Sequence, residues 1–415
     1  MKKTSKFIAV LLALMLALSA APAFAAETEK APDITDESRV KPAALQKTFD
    51  LSLEDALLKL DTDSVQAELI EIQRMGDEAA AKGSAEGLEK LEDAQKALNQ
   101  LGSMAYATGN AVVQSAYESA SFSMTSTFAS KDRLRLTRDF AAAMLEPNAE
   151  ARKNSLHYTA TEMYYNLKNL EMQLQIAEDN ARIMRDVYEL TKKKYDLGTA
   201  SKMELMNAES NMNSARLTAD TALDGLNQLR MGFNIYFGYN LSQSVNLTSE
   251  LDETPLSSID VTEGIRLAKE NRISIKQAEY KLKLAAEDVA KYRYYPKNST
   301  SYIGGRAQFL AASVANNMAK STVEMEVRNN FSAMTRAYSA VQLGKTSVEN
   351  AVETARLARL QYEAGYATYT TVEQAQLGSY SAQIQQAQNL LTLKLAVDKY
   401  ELSTGVGTEA ASLVG

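Results

Sequence analysis

Apolar residues recur along much of the chain in steps that alternate between four and three residues. Before Gly198 these positions are Met163, Leu167, Leu170, Leu174, Ala177, Ala181, Met184, Tyr188, Thr191 and Tyr195. An average step of about 3.5 residues is the period of a left-handed coiled coil, in which one face of each helix packs on a partner. The pattern therefore predicts one helix over 161–196, about 54 Å long at 1.5 Å per residue.

The same pattern occurs again 167 residues further along the chain. There the apolar positions are Met334, Ala337, Val341, Gly344, Val348, Ala351, Ala355, Ala358 and Tyr362. After Gly198 the stripe resumes at Leu205, Ala208, Met212, Ala215, Ala219, Ala222, Leu226, Leu229, Phe233 and Tyr236, and its counterpart Val372, Ala375, Ser379, Ala382 is more polar. Each copy is therefore predicted to be a helix, a tight turn and a second helix packed antiparallel on the first.

Two glycines mark the predicted turns, and the residues around them align between the copies. Tyr195-Asp196-Leu197-Gly198-Thr199-Ala200 matches Tyr362-Glu363-Ala364-Gly365-Tyr366-Ala367. Glycine adopts the left-handed conformation of a helix C-terminus without steric cost. Ser201 to Glu204 then has the pattern of a capping box, and Thr370 to Glu373 is a second candidate. Both glutamates therefore have a structural role available as an alternative to a functional one.

Outside the hairpins the organisation is less regular. Leu51 to Leu57 and Ile259 to Ile265 both open a helix behind a polar cap; 208 residues separate these openers and 167 separate the turns, so the first half holds about 41 extra residues. Those residues lie within 65–156, which the pattern does not assign. Ser121 to Thr125 and Arg133 to Leu136 alternate like strands, but the helical surroundings favour helix with breaks. The predicted divisions are a first repeat over 49–239, a linker over 240–260 containing Pro255, a second repeat over 261–407 and a disordered tail after Gly405, including 408–415.

The first 25 residues have the three parts of a secretory signal: Lys2, Lys3 and Lys6, an apolar stretch over 7–18, and Ala23-Phe24-Ala25. We expect cleavage near Ala26, an uncleaved anchor helix being the alternative, with a loose leader over 26–48. Losing those lysines takes the formal net charge from −7 to −10. An acidic surface argues against nucleic acid and anionic lipid as main partners.

The chain offers little material for catalysis. It has no cysteine and a single histidine, His157, in a polar helical context that indicates an ordinary surface residue. Phosphate-binding and nucleophile motifs are missing from the sequence. We therefore predict no enzyme, no catalytic residue, no metal and no cofactor.

With these residues in view, the chain resembles the TolC-type outer-membrane efflux family. The resemblance rests on the repeated Tyr-x-x-Gly-x-Ala turn within alanine-rich heptads, the Leu51 to Leu57 opener, and a helix ending at Lys291 to Pro296. It implies an all-α fold of long antiparallel coiled-coil hairpins in two internal repeats, assembled as a homotrimer. It also implies that the turns dock on a membrane-fusion adaptor that leads to an inner-membrane pump. The implied docking residues are Tyr195, Gly198, Thr199, Ala200, Tyr362, Gly365, Tyr366 and Ala367, and the implied pore-end residues are Glu204, Tyr362 and Glu373.

Two departures from the family are visible. Residues 297–326 do not alternate as membrane strands of about 9–11 residues would, so the family's β-barrel strands are predicted to be absent or vestigial. The family's acidic ring and gating arginine correspond to Thr371, Gln374 and Ala367, which puts its closing bonds in doubt.

Two functions remain open at this stage. The first is an exit duct or adaptor-docking component of a tripartite efflux or type I secretion system, exported to the cell envelope: the outer membrane or periplasm of a cell with two membranes, otherwise the cell wall. The alternative is a structural coiled-coil envelope protein without channel activity. The paired glycine turns favour docking, whereas the missing strands favour the structural role.

Overall fold

The computed structural model describes residues 48–128, 130–251 and 260–413. These residues form, in order, β1 (Phe49–Leu51), α1 (Leu53–Asp63), α2 (Val65–Thr108), α3 (Ala111–Phe128), α4 (Lys131–Asp196), α5 (Lys202–Tyr236), β2 (Val245–Leu247), α6 (Val261–Asn271), α7 (Ile273–Lys291), α8 (Thr300–Glu363) and α9 (Tyr369–Thr404). The predicted fold class is confirmed, since long antiparallel helices account for nearly all of the described chain. Over these ranges, none of the helices combines the length and the apolar character needed to cross a bilayer. The predicted signal sequence and, except for Thr48, the leader lie outside the described residues.

Two hairpins, α4–α5 and α8–α9, lie side by side. Helix α4 packs on both α5 and α9, and α9 packs on α8, so that the four helices form a row in the order α5, α4, α9, α8. The apolar stripes supply the contacts between them. Their fully or nearly buried members are Leu167, Ala177, Met184 and Thr191 in α4, Ala208, Ala215, Ala219, Leu226 and Phe233 in α5, and Met334, Ala337, Val341, Ala355, Ala358 and Tyr362 in α8.

The extra residues of the first half lengthen a third helical hairpin. Helix α2 ends at Gly109, which has φ 61°, and the chain returns through α3 into α4. Arg152 of α4 lies 2.7 Å from Asp77 of α2, and Lys131 lies 3.4 Å from Glu92, so α2 and α4 run antiparallel. The preference for helix over strands at 121–125 and 133–136 is confirmed.

The strands are vestigial and lie near the middle of α4. They pair in parallel, with Phe49 opposite Val245. The Tyr164 hydroxyl, fully buried on α4, donates to the Leu51 carbonyl at 2.8 Å and accepts from the Ser249 amide at 3.0 Å. The segment predicted as a linker over 240–260 therefore contributes β2, although 252–259, with Pro255, lies outside the described residues.

The tail after Gly405 was predicted to be disordered, and over 406–413 this is wrong. Val406, Ala411 and Leu413 are buried. The side-chain amide of Asn148 on α4 donates to the Ala411 carbonyl at 3.0 Å and accepts from the Ala411 N–H at 2.7 Å. One asparagine therefore satisfies both backbone groups of a tail residue, which allows that segment to be buried.

His157 is not an ordinary surface residue. Its Nε2 lies 2.7 Å from Asp61 Oδ1, and only 27% of its side chain is exposed. Lys153 Nζ lies 2.7 Å from the other oxygen of the same carboxylate. Burial opposes ionisation of Asp61, but the hydrogen bonds from Lys153 and His157 outweigh it and hold the Asp61 pKa below its usual value. These contacts join α1 to α4.

Candidate functional site: the paired hairpin tips

Both predicted turns are present, and their backbone hydrogen bonds repeat. Gly198 has φ 73° and Gly365 has φ 82°, the left-handed conformation expected at these positions. The Thr199 amide donates to the Lys194 carbonyl at 2.8 Å, and 167 residues later the Tyr366 amide donates to the Gln361 carbonyl at 2.8 Å. The sequence repeat is therefore a structural repeat at the level of single hydrogen bonds.

The return helices begin with different caps. Ser201 and Glu204 form the predicted capping box: the Glu204 amide donates to Ser201 Oγ at 3.2 Å, and the Ser201 amide donates to the Glu204 carboxylate at 2.7 Å. The capping box predicted at Thr370 to Glu373 is wrong. Helix α9 already begins at Tyr369, and its N-cap is Thr368, whose hydroxyl accepts from the Thr371 amide at 3.4 Å. Thr368 is the true counterpart of Ser201, and threonine replaces the glutamate of the box.

The two tips are joined through Tyr362. Its side chain is only 4% exposed, and its hydroxyl lies 2.9 Å from Thr191 Oγ1 on α4. Lys194, also on α4, places its Nζ 3.8 Å from the centroid of the Tyr362 ring and donates to the Tyr362 carbonyl. Burial raises the pKa of Tyr362, so the phenol remains a neutral partner for Thr191. Tyr362 thus joins the hairpins and presents little surface to a pore or a partner.

A second polar contact lies one step further from the tips. Asn211 of α5 donates to the Tyr369 hydroxyl at 3.0 Å and to the Glu373 carboxylate at 2.8 Å. The Tyr369 ring is 2% exposed and meets the Tyr362 ring edge-on, with centroids 6.4 Å apart. Glu373, predicted as a pore-end residue, is therefore engaged between the hairpins. Buried polar pairs of this kind fix the register of helices whose small apolar stripes would allow sliding.

The outer surface of the tips consists of few side chains. Tyr366 is 88% exposed and Leu197 is 79% exposed, one at each tip. The other predicted docking residues are placed as follows: Gly198, Thr199 and Gly365 are exposed, Tyr195 is 39% exposed, and Ala200 and Ala367 are half-buried. Glu204 is half-buried in its capping box. Sequence reasoning missed Leu197, although a leucine at a position that breaks the 4–3 stripe was a usable signal.

Comparison with known proteins finds likeness only at the level of structure. A scan of protein-family models gives no match, and neither does a search of curated proteins. Solved structures that are similar include the outer membrane protein VceC of Vibrio cholerae, at 16% identity over 68% of this chain and 77% of that chain, with a TM-score of 0.55. The CmeC outer membrane channel of Campylobacter jejuni is 14% identical over 67% and 69%, with a TM-score of 0.54. CusC, whose structures concern transmembrane channel formation, is 12% identical over 89% and 96%, with a TM-score of 0.56. The predicted resemblance is thus confirmed in the fold.

Proposed function

We propose that the chain is a TolC-like exit duct of the cell envelope, serving passive efflux or type I secretion, whose paired tips dock on a membrane-fusion adaptor. The observation that carries the proposal is the joining of two repeated hairpin tips into one unit that exposes Leu197 and Tyr366. The similar solved structures are outer-membrane channels, which supports the same setting for this chain.

The tips are suited to binding a helical partner because they are preorganised. The contacts of Lys194 and Thr191 with Tyr362 hold the two turns together, so little conformational entropy is lost when a partner binds both. Tyrosine is enriched among residues that dominate binding energy, and Tyr366 is free to contact a partner over most of its surface. An adaptor whose own helical hairpin lies against this end would cover Leu197 and Tyr366 together. The adaptor in turn would lead to an inner-membrane pump.

The open row of helices supports assembly with further copies. Its edge helices, α5 and α8, expose apolar residues on faces turned away from their partners: Met206, Leu217, Met231 and Ile235 on α5, and Leu343, Leu357 and Leu360 on α8. Joining the α5 edge of one copy to the α8 edge of the next buries both edges, and a rotation that closes gives a ring. Three copies, as the family resemblance implies, would enclose the duct.

Site-specific crosslinking tests the docking surface. The chain has no cysteine, so Tyr366→Cys carries a single thiol for a photoactivatable crosslinker in intact cells. Tyr294→Cys is the matched control, because Tyr294 is a tyrosine of similar exposure, 86%, distant from the tips. We expect mass spectrometry to identify a membrane-fusion adaptor crosslinked at position 366 and not at 294. The same product at both positions, or none at 366, would refute the docking proposal.

A further inference from the structure

The ends of α2 and α7 that point away from the tips differ in how far they project. Glu92 of α2 is paired with Arg135 of α4 at 3.0 Å, and the neighbouring Arg133 is paired with Asp288 of α7 at 2.7 Å, so these residues lie at one level. Beyond that level α7 ends at Lys291, within a single turn. Helix α2 continues to Thr108, which is about 24 Å of helix at 1.5 Å per residue. The α2–α3 hairpin therefore projects roughly 20 Å past the end of α7.

Charge is distributed very unevenly at this end of an acidic chain. Between Lys96 and Lys131, which span the projecting hairpin, Glu118 is the sole ionisable acid or base. No acidic residue occurs between Asp288 and Glu324. That second stretch covers the end of α7 and the start of α8. It presents the cations Arg293, Lys297 and Arg306, all exposed and without an ion pair among the described residues.

The cations lie at the base of the projecting hairpin. Arg293 and Lys297 flank the loop between α7 and α8, next to the level set by Asp288. Gly305 lies against the Tyr292 ring, which brings Arg306 to the same height. The Arg293 guanidinium is 5.1 Å from the centroid of the exposed Tyr294 ring. Cations beside exposed tyrosines are the side chains that proteins place in the headgroup layer of a bilayer.

The projecting hairpin itself exposes large apolar side chains. Tyr106 is 94% exposed, Phe122 is 88% exposed and Val112 is 75% exposed. Its hydroxyls are satisfied within the helices: Ser103 donates to the Asn99 carbonyl at 2.9 Å, Thr108 to the Met104 carbonyl at 2.7 Å and Ser123 to the Ala120 carbonyl at 3.0 Å. Hydroxyls bonded in this way cost less to remove from water, which makes a serine-rich helix compatible with a less polar medium.

We propose that this end binds an anionic lipid surface: the α2–α3 hairpin enters one leaflet, and Arg293, Lys297 and Arg306 contact the lipid phosphates. The projection of roughly 20 Å matches one leaflet with its headgroups, half of the 40–45 Å of a complete bilayer. Glu118 lies about 10 Å from the turn, which leaves its carboxylate within reach of the headgroup layer. The acidic remainder of the chain is repelled by the same lipids, so charge alone selects this end. The inference goes beyond the proposed duct and does not depend on transport.

The chain has no tryptophan, so single tryptophan variants report the local environment without background. Phe122→Trp places the probe on the projecting hairpin, and Tyr366→Trp, at a position with the same 88% exposure, is the control at the tips. Each exported chain is mixed with vesicles of phosphatidylcholine containing phosphatidylglycerol. We expect a blue shift and quenching by brominated acyl chains at position 122, and neither at 366. No change at 122, or the same change at both positions, would overturn the proposal.

The cations are tested in the same assay with Arg293→Gln/Lys297→Gln. Each basic residue near an anionic surface strengthens binding about fivefold, so the double variant should partition roughly thirtyfold more weakly. Phosphatidylcholine alone should bind the unmodified chain with similarly reduced affinity. Equal binding to neutral and anionic vesicles, or a soluble polyanion that reproduces the spectral shift without lipid, would contradict a lipid-binding end. These outcomes are independent of adaptor crosslinking at Tyr366, so the two proposals can fail separately.

Discussion

The contact of Tyr362 with α4 determines whether the two hairpin tips behave as one unit. Its ring is 4% exposed and lies beneath the Lys194 ammonium, and its hydroxyl bonds to Thr191. Truncation to alanine removes the ring and both contacts, whereas Tyr362→Phe removes the hydroxyl alone. The two variants therefore separate the packing of the ring from its hydrogen bond.

The expected magnitudes differ widely. Burying and then deleting an aromatic ring costs about 3–5 kcal/mol. Deleting the hydroxyl costs about 1 kcal/mol, because Thr191 Oγ1 still donates to the Val187 carbonyl at 2.8 Å and is not left unsatisfied. At about 1.4 kcal/mol for each factor of ten, local opening should become roughly a hundredfold to several thousandfold more frequent in Tyr362→Ala, and about fivefold in Tyr362→Phe.

Amide hydrogen exchange measures such opening directly. The amides to follow are those in the last two turns of α4 and α8, with Tyr366→Ala as the control at an exposed position four residues away. We expect faster exchange on both helices in Tyr362→Ala and unchanged exchange in the control. Acceleration confined to α8 would show that Tyr362 does not couple the hairpins, and no acceleration at all would refute the assigned contact.

Three further predictions concern stability. Gly198→Ala should destabilise the protein by about 1–2 kcal/mol through its positive φ, since nothing lies within 4 Å of the added Cβ, whereas Gly378→Ala within α9 should stabilise it by about 1 kcal/mol; urea midpoints with opposite signs check this, and equal signs contradict it. Asn148→Ala leaves both backbone groups of Ala411 buried without partners, so we expect a loss of about 2 kcal/mol or more and rapid proteolysis of the tail; a resistant tail would contradict the contact. Burial raises the pKa of Tyr236 to about 12, above the unfolded value near 10, so its stabilisation is complete below pH 10 and is lost as pH rises toward 12. Tyr236→Phe should reduce that alkaline loss in a pH series of unfolding midpoints, and identical profiles would argue against it.

The fold was largely predictable because its determinants are local and repeated. A 4–3 apolar stripe specifies a helix and its packing face, and a glycine followed by a polar cap specifies a turn. Those signals located α4, α5 and both tips. The region 65–156 was not assigned because its helices pack over alanine, glycine and serine, which give weak contrast between faces. The ordered tail depends on Asn148, and no pattern within the tail itself predicts a partner 263 residues away.

The candidate site was only partly predictable. The turns were found, as was the exposed Tyr366, but the role expected of Tyr362 depended on what lies opposite it. Thr191 was counted among the stripe positions, and Lys194 carried no signal as a lysine near a helix end. Their joint contact with Tyr362 arises from packing of α4 against α9 and α8, which the heptads do not orient. The lipid-facing end was likewise hidden by the net charge of the whole chain, because its distinguishing feature is a local absence of acidic residues.

The central claim is that the open row of helices is one part of a closed duct. Light scattering of the exported chain, eluted from a size-exclusion column in mild detergent, measures its assembled mass directly. The account predicts three times the mass of one chain, with dissociation when Leu217 on α5 or Leu343 on α8 is replaced by aspartate, since both are exposed apolar residues at the edges of the row. A monomer that is already stable and unaffected by those substitutions would contradict it.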